Sequence, residues 1–376
     1  MEKTKNRIQS FLNNSIDYTL LITVLLLLSL GLIMVLSASS PTALSESGNS
    51  YSYFIKQAIF AVIGLVFMYI ISKIDYRIYK KFYKIGYIVS IILLLLVILI
   101  GKEVNGATRW IYVTESLSFQ PSELVKILMI IFYAAILTKN REELNKYGKG
   151  FLKHFAFLAP IALLLLLEPH LSATVVIVGI SVVMMILAGC KFWQVLVTGL
   201  CAGTPVLIGL IVIAPYRLKR ITTFLDPWSD KLGKGWQVIQ SLYAIGSGSL
   251  FGLGLGQSKQ KYLYLPEPQN DFIFSVLAEE LGFIGCLFVI VLFCILIWRG
   301  ILTAMNAPDM FGSLIAIGIT ALIGIQAIIN IAVVTSSMPA TGMPLPFFSY
   351  GGTALFILLC EVGILLNISR AGNKNM

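Results

Sequence analysis

Ten stretches of about 20 mostly apolar residues run through this chain, and they restrict its fold more than any other feature. An α-helix needs roughly 20 apolar residues to cross the hydrocarbon core of a bilayer. The sequence therefore predicts an all-α polytopic membrane protein with about ten transmembrane helices, a single bundle over residues 1–376. The predicted spans are about 18–39, 52–72, 82–101, 121–138, 153–168, 171–189, 192–213, 272–298, 310–334 and 344–368.

Composition agrees with this class of protein. Of the 376 residues, 57% are hydrophobic and 12% are charged, whereas soluble domains carry about 25% charged residues. The net charge of +10 suits anionic lipid headgroups or an anionic substrate. Nucleic acid is not an expected partner, because the basic residues lie in juxtamembrane loops and one longer loop. The five cysteines show no paired spacing, so neither a disulfide framework nor a metal site is indicated.

Lysines and arginines predict the orientation, because short cytoplasmic loops carry an excess of them. Placing the N-terminus inside predicts that both termini are cytoplasmic. A long extracellular loop, residues 214–270, then joins helices seven and eight. This loop is itself basic, which a long loop tolerates and an anionic ligand on the outer face would explain. The cytoplasmic positions are Lys3, Lys5, Arg7, Lys73, Arg77, Lys80, Lys81, Lys84, Lys139, Arg141, Lys146, Lys149, Lys153, Lys191, Arg299, Arg370 and Lys374.

The outer loop has two features beyond its charge. GWQVIQSLYAI repeats apolar residues at helical spacing, which predicts a short amphipathic or re-entrant helix at the outer interface. Glycine then recurs in GSGSLFGLGLGQSKQK, which contains Lys259 and ends just before Tyr262 with Lys261. Glycines allow close backbone approach and exposed N–H groups that cradle oxyanions. The segment is a candidate pyrophosphate site, and a helix-packing turn is the alternative.

The stretch LPEPQND places a carboxylate, Asp271, where the eighth apolar segment begins. Aspartate is a preferred N-cap residue, so helix capping alone would account for it. The functional alternative is a general base at the outer mouth of the bundle. Two prolines keep the preceding chain extended, so we expect Glu267 and Asp271 to face one cavity. Glu279 and Glu280, deeper in the segment, are interpreted as structural polar contacts.

Charged residues also mark the fourth apolar segment and the loop before it. Glu123 and Lys126 lie three residues apart inside a predicted span, so they are able to form an ion pair or to line a polar cavity. Arg109 and Trp110, in the preceding outer loop, suit either interfacial anchoring or a substrate site. TSSMPATGMPLPFFSYGG, before and into the last segment, is typical either of a plain loop or of irregular backbone lining a cavity.

The motifs GATRWI, FQPSELVK, GSLFGLGLGQSKQKYLYLPEPQNDFIFSVLAEELGFIG and PATGMPLPFFSYGG resemble, in this order, those of the SEDS family (shape, elongation, division and sporulation). This family comprises the FtsW, RodA and SpoVE proteins of bacterial cell-wall synthesis. The resemblance covers nearly the whole chain and is closer to the division and sporulation branch than to the elongation branch. Many members have His-Thr before the aspartate, where this chain has Gln269 and Asn270.

The resemblance implies a peptidoglycan glycosyltransferase that polymerises lipid II, an undecaprenyl-pyrophosphate-linked disaccharide pentapeptide, on the outer face of the cytoplasmic membrane. Asp271 matches the family's essential aspartate. It would deprotonate the acceptor GlcNAc 4-hydroxyl for inverting attack on the donor MurNAc, with loss of lipid pyrophosphate. Arg109 and Lys126 are assigned to the pyrophosphate. The full set of expected substrate contacts is Arg109, Trp110, Glu123, Lys126, Glu267, Lys259 and Lys261.

The family also implies partners. Its members work with a class B penicillin-binding protein, which crosslinks the glycan, and division-type members work with further divisome or sporulation proteins. The involvement of a divalent cation is left open. Two other functions remain at this point: a lipid II flippase, since intramembrane charges and broken helices also suit transport, and a non-catalytic scaffold. A flippase needs a polar path to the inner leaflet, whereas the polar residues here cluster at the outer end.

Overall fold

A computed structural model of the chain describes residues 16–104, 107–112, 118–205, 209, 215–231 and 233–372. Within these ranges, nine helices are long and apolar enough to cross a membrane. They are α1 (Tyr18–Ser47), α2 (Ser52–Lys73), α3 (Tyr76–Ile100), α4 (Pro121–Lys139), α5 (Gly150–Leu167), α6 (Leu171–Ala188), α10 (Ile273–Met305), α11 (Met310–Val334) and α12 (Gly352–Gly372). The shorter helices are α7 (Phe192–Gly203), α8 (Pro215–Leu225) and α9 (Lys234–Ser247).

The observed helices correct several predicted boundaries. α12 begins at Gly352 and not near 344, because the preceding PLPFF carries prolines that lack a backbone donor. α10 continues to Met305 beyond the expected end near 298, because Arg299 is neutralised by Asp17 at 2.6 Å. α1 continues to Ser47 and α3 begins at Tyr76, so both are longer than predicted. Of the expected seventh span, 192–213, the structure describes α7 and residues 204, 205 and 209, and residues 206–208 and 210–213 lie outside the described residues.

Three short strands modify the expected all-α fold. β1 (Lys102–Val104), β2 (Ala107–Tyr112) and β3 (Ser118–Phe119) form an antiparallel sheet in the order β1-β2-β3. The sheet lies between α3 and α4. It holds β2 rigid directly before the polar first turn of α4, because Ile111 pairs with Phe119 and Tyr112 with Ser118.

α4, α11 and α12 form the buried centre of the bundle, whereas α2 and α3 expose most of their apolar side chains. Lipid would cover such faces. One end of the bundle is secured by charged residues. Asp17 binds Arg299, and Asp309, which caps α11, accepts from Arg77 at 2.8 Å. Arg299 lies about 40 Å along α10 from Ile273, at 1.5 Å per residue.

α10 is broken at Gly282, where φ is +66°. The irregular segment that follows α9 inserts at this break: Leu253 N donates to Glu279 O at 2.9 Å, and Phe283 N donates to Ser249 O at 2.9 Å. A Cβ on Gly252 would lie 2.1 Å from Glu280 O, so only glycine permits the approach. Gly248 and Gly252 therefore serve packing against α10, which was the alternative to a phosphate cradle.

Candidate active site

Two cavities meet at Asp271, at the end of the bundle away from the Asp17–Arg299 ion pair. The central cavity has a volume of about 940 Å³. The side cavity, of about 190 Å³, lies against α8 and α9. Asp271, Arg220, Gln237 and Gly342 contribute to both walls. The polar side chains that line the central cavity include Glu46, Tyr53, Lys56, Arg109, Gln120, Glu123, Lys126, His170, Ser172, Arg220, Glu267, Gln269, Asn270, Asp271, Gln326 and Glu361.

Asp271 is not the N-cap of α10. Phe272 takes that position and no side chain caps the helix, so the capping interpretation is wrong. The main chain of Asp271 is held instead by Asn330, whose Nδ2 donates to Asp271 O at 2.8 Å. The carboxylate is left available to the cavity.

The electrostatic environment of Asp271 suits a base. Burial, reinforced by the negative charge of Glu267, raises the pKa of Asp271 to about 6, against the opposing charges of Arg109 and Arg220. A general base works best when its pKa lies near the operating pH. At neutral pH Asp271 is mostly ionised and is still basic enough to accept a proton.

Glu267 shares the central cavity with Asp271, as expected, but the segment between them is not extended. The chain turns tightly between them: Asn270 N donates to Glu267 O at 3.0 Å, and Asn270 Nδ2 donates to Glu267 Oε2 at 3.0 Å. Glu267 itself has a φ of +45°. The turn brings two carboxylates to one wall, which explains why the negative charge of Glu267 raises the pKa of Asp271.

The Pro- and Gly-rich segment before α12 closes over this turn. Ser349 Oγ donates to Asn270 O at 2.6 Å, and Tyr350 N donates to Gln269 O at 2.8 Å. Gly342, at a φ of +71°, comes so near that an added Cβ would lie 3.3 Å from Asp271 Oδ2. The segment is therefore irregular backbone that lines a cavity, the second of the two interpretations given by the sequence.

Glu123 and Lys126 form the predicted ion pair. Lys126 Nζ lies 2.7 Å from Glu123 Oε2, and the Lys126 side chain is 3% exposed. Pro121, at the first position of α4, fixes where the helix begins. Both charged residues also line the central cavity. The two interpretations given by the sequence, an ion pair and a cavity lining, are therefore both correct.

Arg109 and Trp110 enter the same cavity from β2. The Arg109 guanidinium also donates to Pro169 O, in the turn between α5 and α6. This contact connects the strand to the far wall of the cavity. Arg109 is therefore directed inwards, not to the lipid interface.

Lys259 and Lys261 do not line the central cavity. Lys261 Nζ is buried and binds Glu280 Oε1 at 2.9 Å, Ser37 Oγ at 2.9 Å and Gly256 O at 2.7 Å. Lys259 is exposed, and its backbone N donates to Glu279 Oε1 at 3.0 Å. The interpretation of Glu279 and Glu280 as structural contacts is confirmed, and the loop lysines belong to that network and not to the ligand cavity.

Several cavity residues were missed by sequence reasoning, and three of them are Arg220, Glu361 and Gln326. Arg220, on α8, was one of several loop cations, and it donates to Ala340 O at 3.0 Å beside the cavity. Glu361 is an isolated acid in the apolar α12, and Gln326 is a buried amide in α11. An isolated polar residue inside a membrane span is itself a signal for a cavity, and it would have found the last two.

The turn between α5 and α6 supplies two further buried titratable groups. Burial raises the pKa of Glu168 to about 8, with Arg109 opposing the change. Burial, followed by the charges of Arg109 and Lys126, lowers the pKa of His170 to about 3. Both side chains are therefore mostly neutral at pH 7.

No group of three or more His, Cys, Asp or Glu side chains in the described ranges is placed to hold a metal ion. Glu267 and Asp271 are two of the carboxylates that line the central cavity. A site with fewer than three protein ligands binds Mg²⁺ only when waters and substrate phosphates complete the coordination.

Comparison with known proteins places this architecture in a family. The FtsW/RodA/SpoVE family model, described as a cell cycle protein, matches residues 18–374. The chain belongs to this family. Stage V sporulation protein E of Bacillus subtilis is 45% identical over 94% of this chain and 97% of its own length. A probable peptidoglycan glycosyltransferase FtsW of Trichlorobacter lovleyi is 44% identical over 95% of this chain and 94% of its own.

Solved structures of the FtsW/RodA/SpoVE family share the fold. A chain of a peptidoglycan synthase complex, studied for the coordination of polymerization and crosslinking, superposes with a TM-score of 0.78 at 29% identity, over 95% of this chain and 98% of that chain. The rod shape determining protein RodA of Thermus thermophilus superposes with a TM-score of 0.71 at 26% identity, with the same coverage. This chain is thus a multi-pass membrane protein of the same architecture.

Proposed function

We propose that this chain is a peptidoglycan glycosyltransferase that polymerises lipid II on the outer face of the bacterial cytoplasmic membrane, during division or sporulation. The observation that carries the proposal is the position of Asp271, a carboxylate with a raised pKa in the wall of a cavity that also holds Arg109 and Lys126. Relatives named peptidoglycan glycosyltransferase support it.

In the proposed reaction Asp271 is the base, and Arg109 and Lys126 stabilise the leaving group. Asp271 removes the proton of the acceptor GlcNAc 4-hydroxyl, and the oxygen attacks the donor MurNAc anomeric carbon. The bond from this carbon to the lipid pyrophosphate breaks with inversion. Arg109 and Lys126 stabilise the negative charge that accumulates on the departing pyrophosphate. Glu267 keeps the pKa of Asp271 high enough to accept the proton.

The proposed partners follow from the relatives. One structural neighbour belongs to a complex that couples polymerization with crosslinking, which supports a class B penicillin-binding protein as the transpeptidase partner of this chain. Further division or sporulation proteins are expected. The site is proposed to face outwards, because the lysine and arginine distribution puts the opposite end of the bundle in the cytoplasm.

The test is polymerisation of lipid II by the purified protein, alone and with its cognate class B penicillin-binding protein. We expect Asp271→Asn to abolish glycan formation while the folded fraction stays unchanged. Asp75→Asn makes the same chemical change at the other end of the bundle, where Asp75 accepts from Arg77 N, and should leave polymerisation intact.

The rival functions predict different results. A flippase would move lipid II between the leaflets of liposomes and make no glycan even with the partner present. A scaffold would support the partner's activity equally well with Asp271→Asn. Glycan made by the Asp271→Asn protein at the wild-type rate would refute the assignment of the base.

A further inference from the structure

His170 occupies an unusual position at the start of α6. It takes the N-cap position, but its side chain makes no capping hydrogen bond. The residue is 6% exposed and lines the central cavity. The mechanism proposed above gives it no role.

One contact of the His170 ring bears on its tautomer. Its Nε2 lies 3.4 Å from Nε2 of Gln120. With this amide nitrogen as the donor, the ring Nε2 accepts and the proton is on Nδ1. Within the described part of the chain, this buried Nδ1 has no hydrogen-bond partner. Buried donors are nearly always satisfied, so the ring indicates an acceptor that comes from outside the chain.

The groups around His170 favour an anionic acceptor. Ser172 and Ala173, in the first turn of α6, line the same cavity, and the first N–H groups of a helix have no intrahelical acceptor and carry a positive partial charge. Arg109 donates to Pro169 O, the residue before His170. Arg109 and Lys126 both act on the His170 ring electrostatically. Hydrogen-bond donors and the charges of Arg109 and Lys126 thus lie around this ring.

We propose that His170 and the first turn of α6 form, with Arg109, a subsite for the diphosphate oxygens of the lipid-linked donor, to which Nδ1–H of His170 donates a hydrogen bond. This inference rests on the proposed function. It assigns a further side chain that binds the pyrophosphate leaving group of that reaction. His170 transfers no proton in the reaction. Its hydrogen bond strengthens as negative charge moves onto the diphosphate when the glycosidic bond breaks.

Inhibition by undecaprenyl pyrophosphate, the released product, tests the subsite. His170→Phe keeps a buried ring and removes the donor, and we expect it to raise the inhibition constant roughly tenfold, as the loss of one hydrogen bond to a charged group does. His154→Phe is the control, because His154 is fully buried at the other end of the bundle and its ring binds Asn140 and Gly150. It should lower thermal stability and leave the inhibition constant unchanged.

Nuclear magnetic resonance of protein labelled with ¹⁵N-histidine gives a second readout that does not need a substituted His170. The chain has two histidines, so His154→Phe leaves a single imidazole signal. We expect a neutral Nδ1–H tautomer whose proton shifts downfield when undecaprenyl pyrophosphate is added. An unchanged signal at saturation, or an unchanged inhibition constant in His170→Phe, would overturn the subsite. If the wild type polymerises lipid II in that case, the proposed function stands without it.

Discussion

Asn330 holds the main chain of Asp271 and the loop opposite it with a single amide. Its Nδ2 donates to Asp271 O at 2.8 Å and to Met343 O at 2.7 Å, and the side chain is 1% exposed. The base and the segment that closes over it are therefore positioned by one residue of α11. The carboxylate keeps its place without a side-chain cap on α10.

Asn330→Ala is expected to lower the turnover of lipid II by about 10–100-fold, because small displacements of a catalytic group have effects of this size. It leaves two carbonyls without a donor, which costs about 1–3 kcal/mol of stability. Asn367→Ala is the control: Asn367 also bridges two main-chain groups, Tyr76 N and Ser72 O, at the other end of the bundle. Similar turnover per folded molecule in the two variants would contradict the positioning role.

Gly342→Ala should inactivate the protein through contact with the base. The new Cβ would lie 3.3 Å from Asp271 Oδ2 at a φ of +71°. Gly48→Ala introduces a similar backbone strain, with a φ of +69° and no atom within 4 Å of the added Cβ. Both substitutions are expected to cost about 1–2 kcal/mol in thermal unfolding, and only Gly342→Ala should reduce polymerisation. Equal activity in both would show that the contact does not matter.

The pH dependence of kcat/KM should report Asp271. Its pKa of about 6 predicts a rate that rises through pH 6 and reaches a plateau above it, with about a tenth of the plateau value at pH 5. Glu267→Gln removes a charge that raises this pKa, so the midpoint should move to lower pH. Arg220→Gln removes a charge that lowers it, so the midpoint should move to higher pH. Midpoints that stay fixed in both variants would exclude Asp271 as the titrating group.

Lys261→Met tests whether the loop lysine serves structure or ligand. The substitution leaves Glu280 as a buried charge without its partner, and this is expected to lower stability by about 3–5 kcal/mol. Lys259→Met should stay within about 0.5 kcal/mol, because the Lys259 side chain is exposed and the hydrogen bond to Glu279 uses its backbone N. The double variant Lys261→Met/Glu280→Leu should recover much of the lost stability. A higher KM for lipid II in stable Lys261→Met protein would instead indicate a ligand contact.

Sequence predicted the parts of the site that depend on local spacing. Glu123 and Lys126 are three residues apart on α4, so their pairing at 2.7 Å follows from helical geometry. Glu267 and Asp271 line one cavity as expected, but through a tight turn and not through the extended segment that the two prolines predicted. The membrane spans follow from apolar length.

Contacts between distant segments were not predictable in this way. Lys261 binds Glu280 and Ser37. The local composition of the loop does not distinguish a lysine that forms an ion pair inside the bundle from one that binds an anionic ligand. The three strands are too short for a period of two to be visible. Capping was one of two interpretations of Asp271, because aspartate favours that position, but the N-cap is Phe272.

The break at Gly282 means that Asp271 precedes a stub of nine residues, Ile273–Leu281, and not a rigid rod of 33 residues. Four main-chain hydrogen bonds between this stub region and the segment Ser249–Gly254 form its lower joint. The position of Asp271 thus depends also on a main-chain junction between this segment and α10. Gly252 and Gly282 are not among the residues that line the cavity, yet a side chain at either position would disrupt the junction.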